Sequence, residues 1–308
     1  MERLTEEGIW QLPDQAILCA QGRDALPFLS GQLTRVVDAE DASRACPSAY
    51  CTAQGRLLAN GALWTGPDQS LRWMVSCDLA DSLIQRLQRF VLRQDVTLQR
   101  LDALTVLGAS GLRVVPAELH AAPPWTHARI GAEEWVVAPQ SVPGAPAAWC
   151  ITSQPGEAAA TAASWNVLRL AAGWPSIRKA ATEQFLPSAL DLDLNGTIDF
   201  HKGCYPGQEV IARMHYRGTV KRRLAVGHCA DPGPLPSTAT GPGDLYPLRP
   251  NGAPAAGRII ESVIHEGRLQ VAAEVSLADR DDLEFRLGGP TGPVLVLHLV
   301  HEPAAGPG

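Results

Sequence analysis

Long apolar runs are missing from this sequence of 308 residues. No stretch reaches the roughly 18 consecutive apolar residues that a membrane-spanning helix needs, so we expect no association with a membrane. The first seven residues, MERLTEE, contain three acids and are followed by no apolar run with a small-residue cleavage site. They do not resemble a secretory signal peptide, and the sequence therefore predicts a cytoplasmic protein.

Cysteine is sparse, and its spacing argues against several metal and redox sites. The chain has seven cysteines, and no two of them form a Cys-x-x-Cys pair. An odd number of thinly spread cysteines is not a disulfide framework, which fits reduced thiols in the cytoplasm. Structural zinc sites and self-contained iron–sulfur sites have ligand spacings that are absent here. We therefore predict no metal site.

No charge of one sign dominates the sequence, which has 26 Lys and Arg against 32 Asp and Glu, a net charge of −6. This balance argues against direct nucleic-acid binding by the surface as a whole, although a local basic patch is compatible with it. The hydrophobic fraction of 45% predicts a folded chain, and the length is typical of about two domains.

Strand and helix signals alternate over the first two thirds of the chain. Strand-like segments lie at 16–19, 56–64, 71–76 and 96–107. Apolar residues at three-to-four spacing predict an amphipathic helix over 78–93, and Asp24 predicts the cap of a short helix through Phe28 and Leu29. The segment 165–172 predicts a helix that ends at Gly173. Residues 115–160 are rich in Pro, Ala and Gly and give no clear element.

The pattern changes near residue 222, where strands alternate with Gly- and Pro-containing turns. The predicted strands are 224–228, 257–265, 269–275 and 294–300, with a hairpin turn at Glu266-Gly267. Several short strands with little helix predict a small antiparallel β-barrel. We accordingly divide the chain into a region 1–221 and a C-terminal barrel domain 222–308.

One segment, residues 201–213, has features that packing alone does not require. Pro206 is suited to the first position of a helix, and Glu209 suits its first turn. Arg213, one turn later, is a candidate ion-pair partner of Glu209, and Gly218 is a candidate helix end. Cys204 would then lie just before a helix N-terminus, where cations and backbone N–H groups favour the thiolate that acts as nucleophile or metal ligand.

The surroundings of this thiol admit both functional and purely structural interpretations. Gly203 and Gly207 flank it and allow tight turns and close approach of another molecule. From 202 to 223 there are six Lys or Arg and one Glu, a local charge of +5. These cations can hold an anionic ligand tail or RNA, or they can form a solvated face. His201 and His215 lie 3 and 11 residues from the thiol, which matches no standard metal site.

Residues 202–209 resemble the hallmark motif of the YgfZ family, folate-binding relatives of the glycine-cleavage T-protein, an aminomethyltransferase. The motif reads Lys202-Gly203-Cys204-Tyr205-x-Gly207-Gln208-Glu209. Weaker agreement covers roughly residues 10–280. It includes Phe28-Leu29-x-x-Gln32-x-Thr34, Thr52-Ala53-Gln54-Gly55-Arg56, Arg169-x-x-x-Gly173-x-Pro175 and Phe185-x-Pro187.

The resemblance implies an α+β protein with two α+β units around a central folate channel, followed by an antiparallel β-barrel. It implies a protein that binds tetrahydrofolate or a derivative and helps to assemble or repair iron–sulfur enzymes, including enzymes that modify tRNA. Cys204 is the residue on which activity would depend. The supporting motif residues are Lys202, Gly203, Tyr205, Gly207, Gln208, Glu209 and Arg213. The implied folate contacts are Trp165, Arg169 and Gln15, the last at a position where a relative has a second tryptophan.

One departure from the T-proteins concerns the reaction itself. The aminomethyltransferases carry a catalytic Asp where this sequence has Ala59-Asn60. Without that carboxylate, one-carbon transfer of the T-protein kind loses its acid/base group. Two alternatives to the accessory role are a folate-dependent aminomethyl transferase and a folate-independent thiol redox protein. The sequence leaves open whether the thiol would carry iron, sulfur or a one-carbon unit.

Overall fold

The computed structural model describes residues 7–38, 40–139, 145–156, 162–218, 220–232, 243–248, 257–279 and 283–301. The acidic residues 1–6, used above in predicting the compartment, lie outside these segments. The described residues form two five-stranded antiparallel sheets and a closed barrel, together with four α-helices. The mixed helix and strand content agrees with the predicted α+β class.

The first sheet contains most of the strands that the sequence predicts. Its strands are β2 (Gln15–Gln21), β3 (Cys46–Cys51), β4 (Leu57–Thr65), β5 (Leu71–Ser76) and β6 (Thr97–Arg100). Their order is β3-β4-β5-β2-β6. Two helices accompany this sheet, α1 (Ala25–Ser30) and α2 (Ala80–Gln88). The strands predicted at 16–19, 56–64 and 71–76 are confirmed.

Both helices predicted for this region are present, but the predicted side-chain cap of the first and the predicted extent of the second are wrong. Asp24 precedes α1 but does not cap it with its side chain, because its carboxylate accepts the backbone N–H of Asp95 instead. The helix predicted over 78–93 starts with a 3-10 turn and ends at Gln88, which leaves Phe90 about half exposed. The periodic apolar pattern thus extends further than the helix.

The second sheet comes largely from the region that gave no clear element. Its strands are β1 (Gly8–Gln11), β7 (Thr105–Ser110), β8 (His127–Ile130), β9 (Glu133–Val137) and β10 (Ala147–Thr152). The order is β1-β7-β10-β9-β8. The β-like segment predicted at 96–107 contains two strands, β6 and the start of β7, which belong to different sheets. One face of each sheet contributes to a shared core that is rich in tryptophan.

The C-terminal strands close into an antiparallel barrel, as predicted. They are β11 (Arg222–Cys229), β12 (Asp244–Pro247), β13 (Gly257–His265), β14 (Arg268–Ser276), β15 (Glu284–Leu287) and β16 (Val294–Leu299). The barrel closes because β11 pairs with both β14 and β16. Glu266 and Gly267 both have positive φ, the conformation that a two-residue hairpin turn requires. The division of the chain at 221/222 stays a prediction.

Two further helices carry the candidate site residues, α3 (Ala163–Ala171) and α4 (Gln208–Arg217). The prediction of a helix over 165–172 is confirmed, and Gly173 follows it with a φ of 71°. At ten residues, α4 is the longest helix in the described segments, none of which contains a helix long and apolar enough to cross a membrane.

Candidate functional site

Lys202 anchors the loop that carries the predicted thiol. Its ammonium donates hydrogen bonds to the carbonyl oxygens of Ser30 at 2.5 Å and Leu33 at 2.9 Å. These carbonyls lie at and just beyond the end of α1, where helical carbonyls lack intrahelical partners. The same ammonium is 5.0 Å from the centroid of the Tyr205 ring, a cation–π distance. Lys202 therefore fixes the loop from the side that precedes the thiol.

Tyr205 and Gly207 anchor the loop on the other side of the thiol. Tyr205 is only 6% exposed, belongs to the main core, and burial raises the pKa of its phenol. Gly207 has a φ of 82°, and a Cβ atom there would lie 2.5 Å from the carbonyl oxygen of Thr52 and 2.7 Å from the Cα of Gly55. Only glycine fits this close contact with the turn between β3 and β4.

Cys204 lies exposed between these two anchors. All seven cysteines lie in described segments, all are free thiols, and Cys204 is the only one that is exposed. Burial raises the pKa of the thiols of Cys46, Cys51 and Cys150 to about 12, which keeps them protonated. A Cβ atom on Gly203 would meet nothing within 4 Å, so the approach to the thiol is open on that side.

The helix after the loop begins two residues later than predicted. Gly207 in its left-handed conformation precedes α4, so the helix starts at Gln208 and Pro206 does not occupy its first position. Glu209 lies in the first turn and Gly218 ends the helix, as predicted. Glu209 and Arg213 are both exposed, and in the described part of the chain they form no ion pair with each other.

A separate cavity brings together the three residues implied as folate contacts. Its lining residues are Gln15, Asn60, Gly61, Met74, Trp149, Trp165, Arg169, Trp174 and Ser176. The cavity has room for about one water molecule. The structure thus places Gln15, Trp165 and Arg169 around one point, although the space between them is small.

Tryptophans fill most of the volume around this cavity. Trp165 is 2% exposed, and its ring lies so close to Gly108 that a Cβ atom there would be 2.3 Å from it. Trp149 meets Trp165 edge to face at 5.8 Å, and Trp125 meets Trp174 in the same way at 5.0 Å. Trp165 is therefore a wall of the cavity and a core residue at the same time.

Arg169 is held by a buried carboxylate that the sequence analysis did not single out. Its guanidinium donates to both carboxylate oxygens of Glu261, at 2.5 and 3.0 Å, and to the carbonyl oxygen of Trp174 at 2.7 Å. Glu261 also accepts the backbone N–H of Ser176. The sequence does contain a signal for this pair. Glu261 follows two isoleucines in the predicted strand 257–265, and an acid in a buried strand is usually paired.

Asn60, at the position of the missing carboxylate, has a structural contact instead. Its side-chain amide donates to the carbonyl oxygen of Pro175, and its oxygen accepts the backbone N–H of Ile177, both at 2.8 Å. Together with Arg169 and Glu261, these bonds hold residues 174–177 beside the cavity, where Trp174 is one of the lining residues. No sequence pattern indicated a role for Trp174.

The lining of the cavity fits a pterin in its chemistry but not in its volume. Aromatic faces surround it, and the indole N–H of Trp165 and the Nε–H of Arg169 are buried without a hydrogen-bond partner among the described residues. A pterin has ring faces and acceptors for both. A space that holds about one water molecule admits no pterin while all of its lining side chains stay in place.

The histidines considered as metal ligands have other surroundings. His215 stacks on Phe200 with ring centroids 3.9 Å apart. Within the described ranges, no three His, Cys, Asp or Glu side chains are grouped so that they could hold a metal ion.

Comparisons with known proteins place this architecture in a family. No protein-family model matches the chain. It is 31% identical over 226 residues to the tRNA-modifying protein YgfZ of Klebsiella pneumoniae (strain 342), with 69% of each chain covered. The chain belongs to the YgfZ family. The proteins of the same name from Sodalis glossinidius and Escherichia fergusonii are 29% and 30% identical, again with 69% of each chain covered.

The fold comparison covers nearly the whole chain. The aminomethyltransferase T of the glycine cleavage system from Bartonella henselae matches with a TM-score of 0.65 over 96% of this chain and 86% of that one. The sequence identity is 11%, so this likeness shows the fold alone. The predicted T-protein-like fold is confirmed. The segment that resembles the YgfZ hallmark motif forms the anchored loop that exposes Cys204.

Proposed function

We propose that this protein is an accessory factor that uses the Cys204 thiol in the assembly or repair of iron–sulfur enzymes, with tRNA-modifying enzymes among its clients. The observation that carries the proposal is the contrast between Cys204, exposed on an anchored loop, and the other thiols, which are buried or half-buried. Membership of the YgfZ family, whose relatives are named tRNA-modifying proteins, supports the choice of clients.

The loop geometry suits a thiol that must meet another macromolecule. Lys202 and Tyr205 fix the backbone on either side, so the thiol has a defined direction and little conformational entropy to lose when a partner binds. Gly203 keeps the approach open. A thiolate presented in this way is a nucleophile and a ligand for soft metal ions such as iron.

A reduced folate is the cofactor that we propose for the tryptophan-lined cavity. Gln15, Trp165 and Arg169 would hold it, with the Trp165 ring as the stacking face and the unpartnered N–H groups of Trp165 and Arg169 as donors. Its entry requires that lining side chains move. We propose that Trp174 is the residue that moves, because it lies in a segment outside the helices and strands. The folate would supply one-carbon chemistry when bound, and the chain's own residues bind and orient it.

Complementation tests the role of the thiol. In a bacterium that lacks its own YgfZ, we expect the Cys204→Ser variant to restore none of the activity of an iron–sulfur tRNA-modifying enzyme, measured as modified nucleosides in bulk tRNA. Cys77→Ser, which removes a half-buried thiol, is the matched control and should restore full activity. Full restoration by Cys204→Ser would refute the proposal, provided that both variants accumulate to the level of the parent.

No contact among the described residues specifically supports either alternative function, the aminomethyl transferase or the thiol redox protein. An aminomethyl transferase needs a carboxylate at Ala59-Asn60, and the Asn60 side chain is instead bound to the backbone of residues 174–177. A redox protein without folate needs a second, resolving thiol, for which Cys51 and Cys229 are the candidates. Burial raises the pKa of both thiols, that of Cys51 to about 12, which opposes formation of the attacking thiolate.

A further inference from the structure

The outer face of α4 combines unpaired cations with an exposed aromatic ring. We define the α4 face as Arg213, Tyr216 and Arg217, with Lys221 beyond the end of the helix. All four side chains are exposed. The face lies on the helix that begins directly after the Cys204 loop. It is separate from the thiol and from the tryptophan-lined cavity.

The cations of the segment 202–223 fall into two groups. Three of them are occupied: Lys202 binds the end of α1, Arg222 pairs with Glu274, and Arg223 is buried against Asp193. Arg213, Arg217 and Lys221 are exposed and have no ion-pair partner among the described residues. The chain as a whole carries −6, so these three cations form a local departure from its overall charge.

An aromatic cluster holds the exposed ring of the α4 face in place. His215 lies parallel to Phe200, with centroids 3.9 Å apart and an interplanar angle of 20°. Tyr216 meets both rings edge to face and is 63% exposed. These contacts orient the Tyr216 ring and leave most of its surface open to a planar ligand.

We infer that the α4 face binds single-stranded RNA. Arg213, Arg217 and Lys221 would contact successive phosphates, and a base would stack on Tyr216, as in proteins that bind unpaired nucleotides. An acidic protein surface would use the cations but would leave the Tyr216 ring without a partner. A helix of ten residues is about 15 Å long, which is enough for a few nucleotides.

The net charge of the whole chain does not decide whether one face of it binds RNA. The sum of −6 describes the whole surface, whereas RNA affinity depends on the cations within one contact area. The Cys204 loop precedes α4, whereas the cations lie in the second half of the helix and beyond it, so RNA on this face and the thiol would occupy opposite ends of α4. The RNA site does not depend on the chemistry of Cys204, so the Cys204→Ser variant should bind RNA as the parent does.

Fluorescence anisotropy with a fluorescein-labelled 12-nucleotide oligouridine tests the inference. Dissociation constants are measured at several KCl concentrations for the parent, Tyr216→Ala and the double variant Arg213→Gln/Arg217→Gln. The matched control is Arg89→Gln/Arg93→Gln, which also removes two exposed arginines four residues apart and close to an exposed ring, Phe90.

The two kinds of variant should differ in their salt dependence. Loss of two phosphate contacts should lower the slope of log K against log salt by about 1.4. Loss of Tyr216 should weaken binding roughly 5- to 100-fold and leave the slope unchanged, because stacking releases no counterions. The control should match the parent in both respects.

Three results would overturn the inference. The first is parent-like binding by both α4 variants, and the second is an equal loss in the Arg89/Arg93 control. The third is a labelled 12-residue polyglutamate peptide that binds as tightly as the RNA, depends on Arg213 and Arg217, and ignores Tyr216. That third result would assign the face to an acidic protein partner.

Discussion

Arg169 of α3 and Glu261 of the barrel strand β13 face each other across two parallel hydrogen bonds, and both side chains are about 5% exposed. The pair joins the helix that lines the tryptophan cavity to the C-terminal barrel. Its carboxylate also holds the backbone of Ser176. The same two side chains therefore contact both the barrel and the segment 174–177 that lines the cavity.

Replacement of Glu261 by Gln should destabilise the protein strongly. The amide would leave the buried guanidinium of Arg169 without a counter-charge, and breaking a buried pair from one side costs about 3–5 kcal/mol. Urea denaturation measures this change in the free energy of unfolding. Asp95→Asn, which removes an exposed ion pair with Arg23, is the control and should change stability far less. Equal effects of the two substitutions would contradict the argument.

The same carboxylate predicts part of the acid sensitivity. Burial alone would raise the pKa of Glu261, but Arg169 and Arg178 outweigh it and hold the pKa below its ordinary value of 4.5. The stabilisation is then complete above pH 4.5 and is lost as the pH falls through the lowered folded-state pKa. Melting temperatures from pH 7 to pH 3 should therefore fall more steeply for the parent than for Glu261→Gln. Parallel curves would show that Glu261 does not titrate with unfolding.

Two glycines of the motif should respond differently to alanine. At Gly207, a Cβ atom meets the Thr52 carbonyl and the backbone has a positive φ, so Gly207→Ala should lower the free energy of unfolding by at least 1–2 kcal/mol. At Gly203, a Cβ atom meets nothing within 4 Å, so Gly203→Ala should leave stability nearly unchanged. Thermal melts of both variants compare these outcomes. A stable Gly207→Ala protein would mean that the turn between β3 and β4 yields easily.

Restoring the carboxylate of the aminomethyltransferases at position 60 should not create a transferase. Asn60→Asp removes the donor to the Pro175 carbonyl and places a negative charge against that oxygen. We expect a loss of about 1–3 kcal/mol in stability and no transfer activity. Chemical denaturation and an assay of methylene transfer from an aminomethyl donor to tetrahydrofolate test the two parts. Measurable transfer would show that the residues 174–177 are not held as described.

Two tryptophans of the cavity should change folate affinity in opposite directions. Trp165→Ala removes the stacking face and should raise the dissociation constant for tetrahydrofolate, whereas Trp174→Ala empties the space that the pterin needs and should lower it. Quenching of tryptophan fluorescence gives both constants, and Trp135→Ala, in the second sheet, serves as control. If neither substitution changes the affinity, the folate site lies elsewhere or does not exist, and Trp165 is a core residue only.

The elements that were predicted correctly are those whose sequence signal lies within a few residues. Clear turn residues separate strands β4 and β5, and the barrel hairpin at Glu266-Gly267 needs only two residues with positive φ. Strands β8 to β10 were missed because Pro, Ala and Gly interrupt the pattern, and these strands form only by pairing with one another and with β7.

The candidate site likewise combines a feature with a local sequence signal and a feature that depends on distant residues. The Cys204 loop was found because its motif is continuous in sequence. The position of Trp174 was not predicted, because two distant residues hold the segment in which it lies. Asn60 binds Pro175, 115 residues later in the chain, and Glu261 binds Ser176, 85 residues earlier in the chain. A pattern within one segment of the sequence cannot indicate contacts over such separations.

The closure of the barrel between its first and last strands imposes an order on biosynthesis. Strand β11 can complete its pairing only after β16 has left the ribosome, and until β13 docks, Arg169 has no counter-ion for its guanidinium. The two sheets can form earlier, but α3 would then stay hydrated at its Arg169 end. In a nascent chain halted before residue 257, α3 should accordingly be accessible to chaperones and proteases. This helix becomes fully packed only when the barrel is complete.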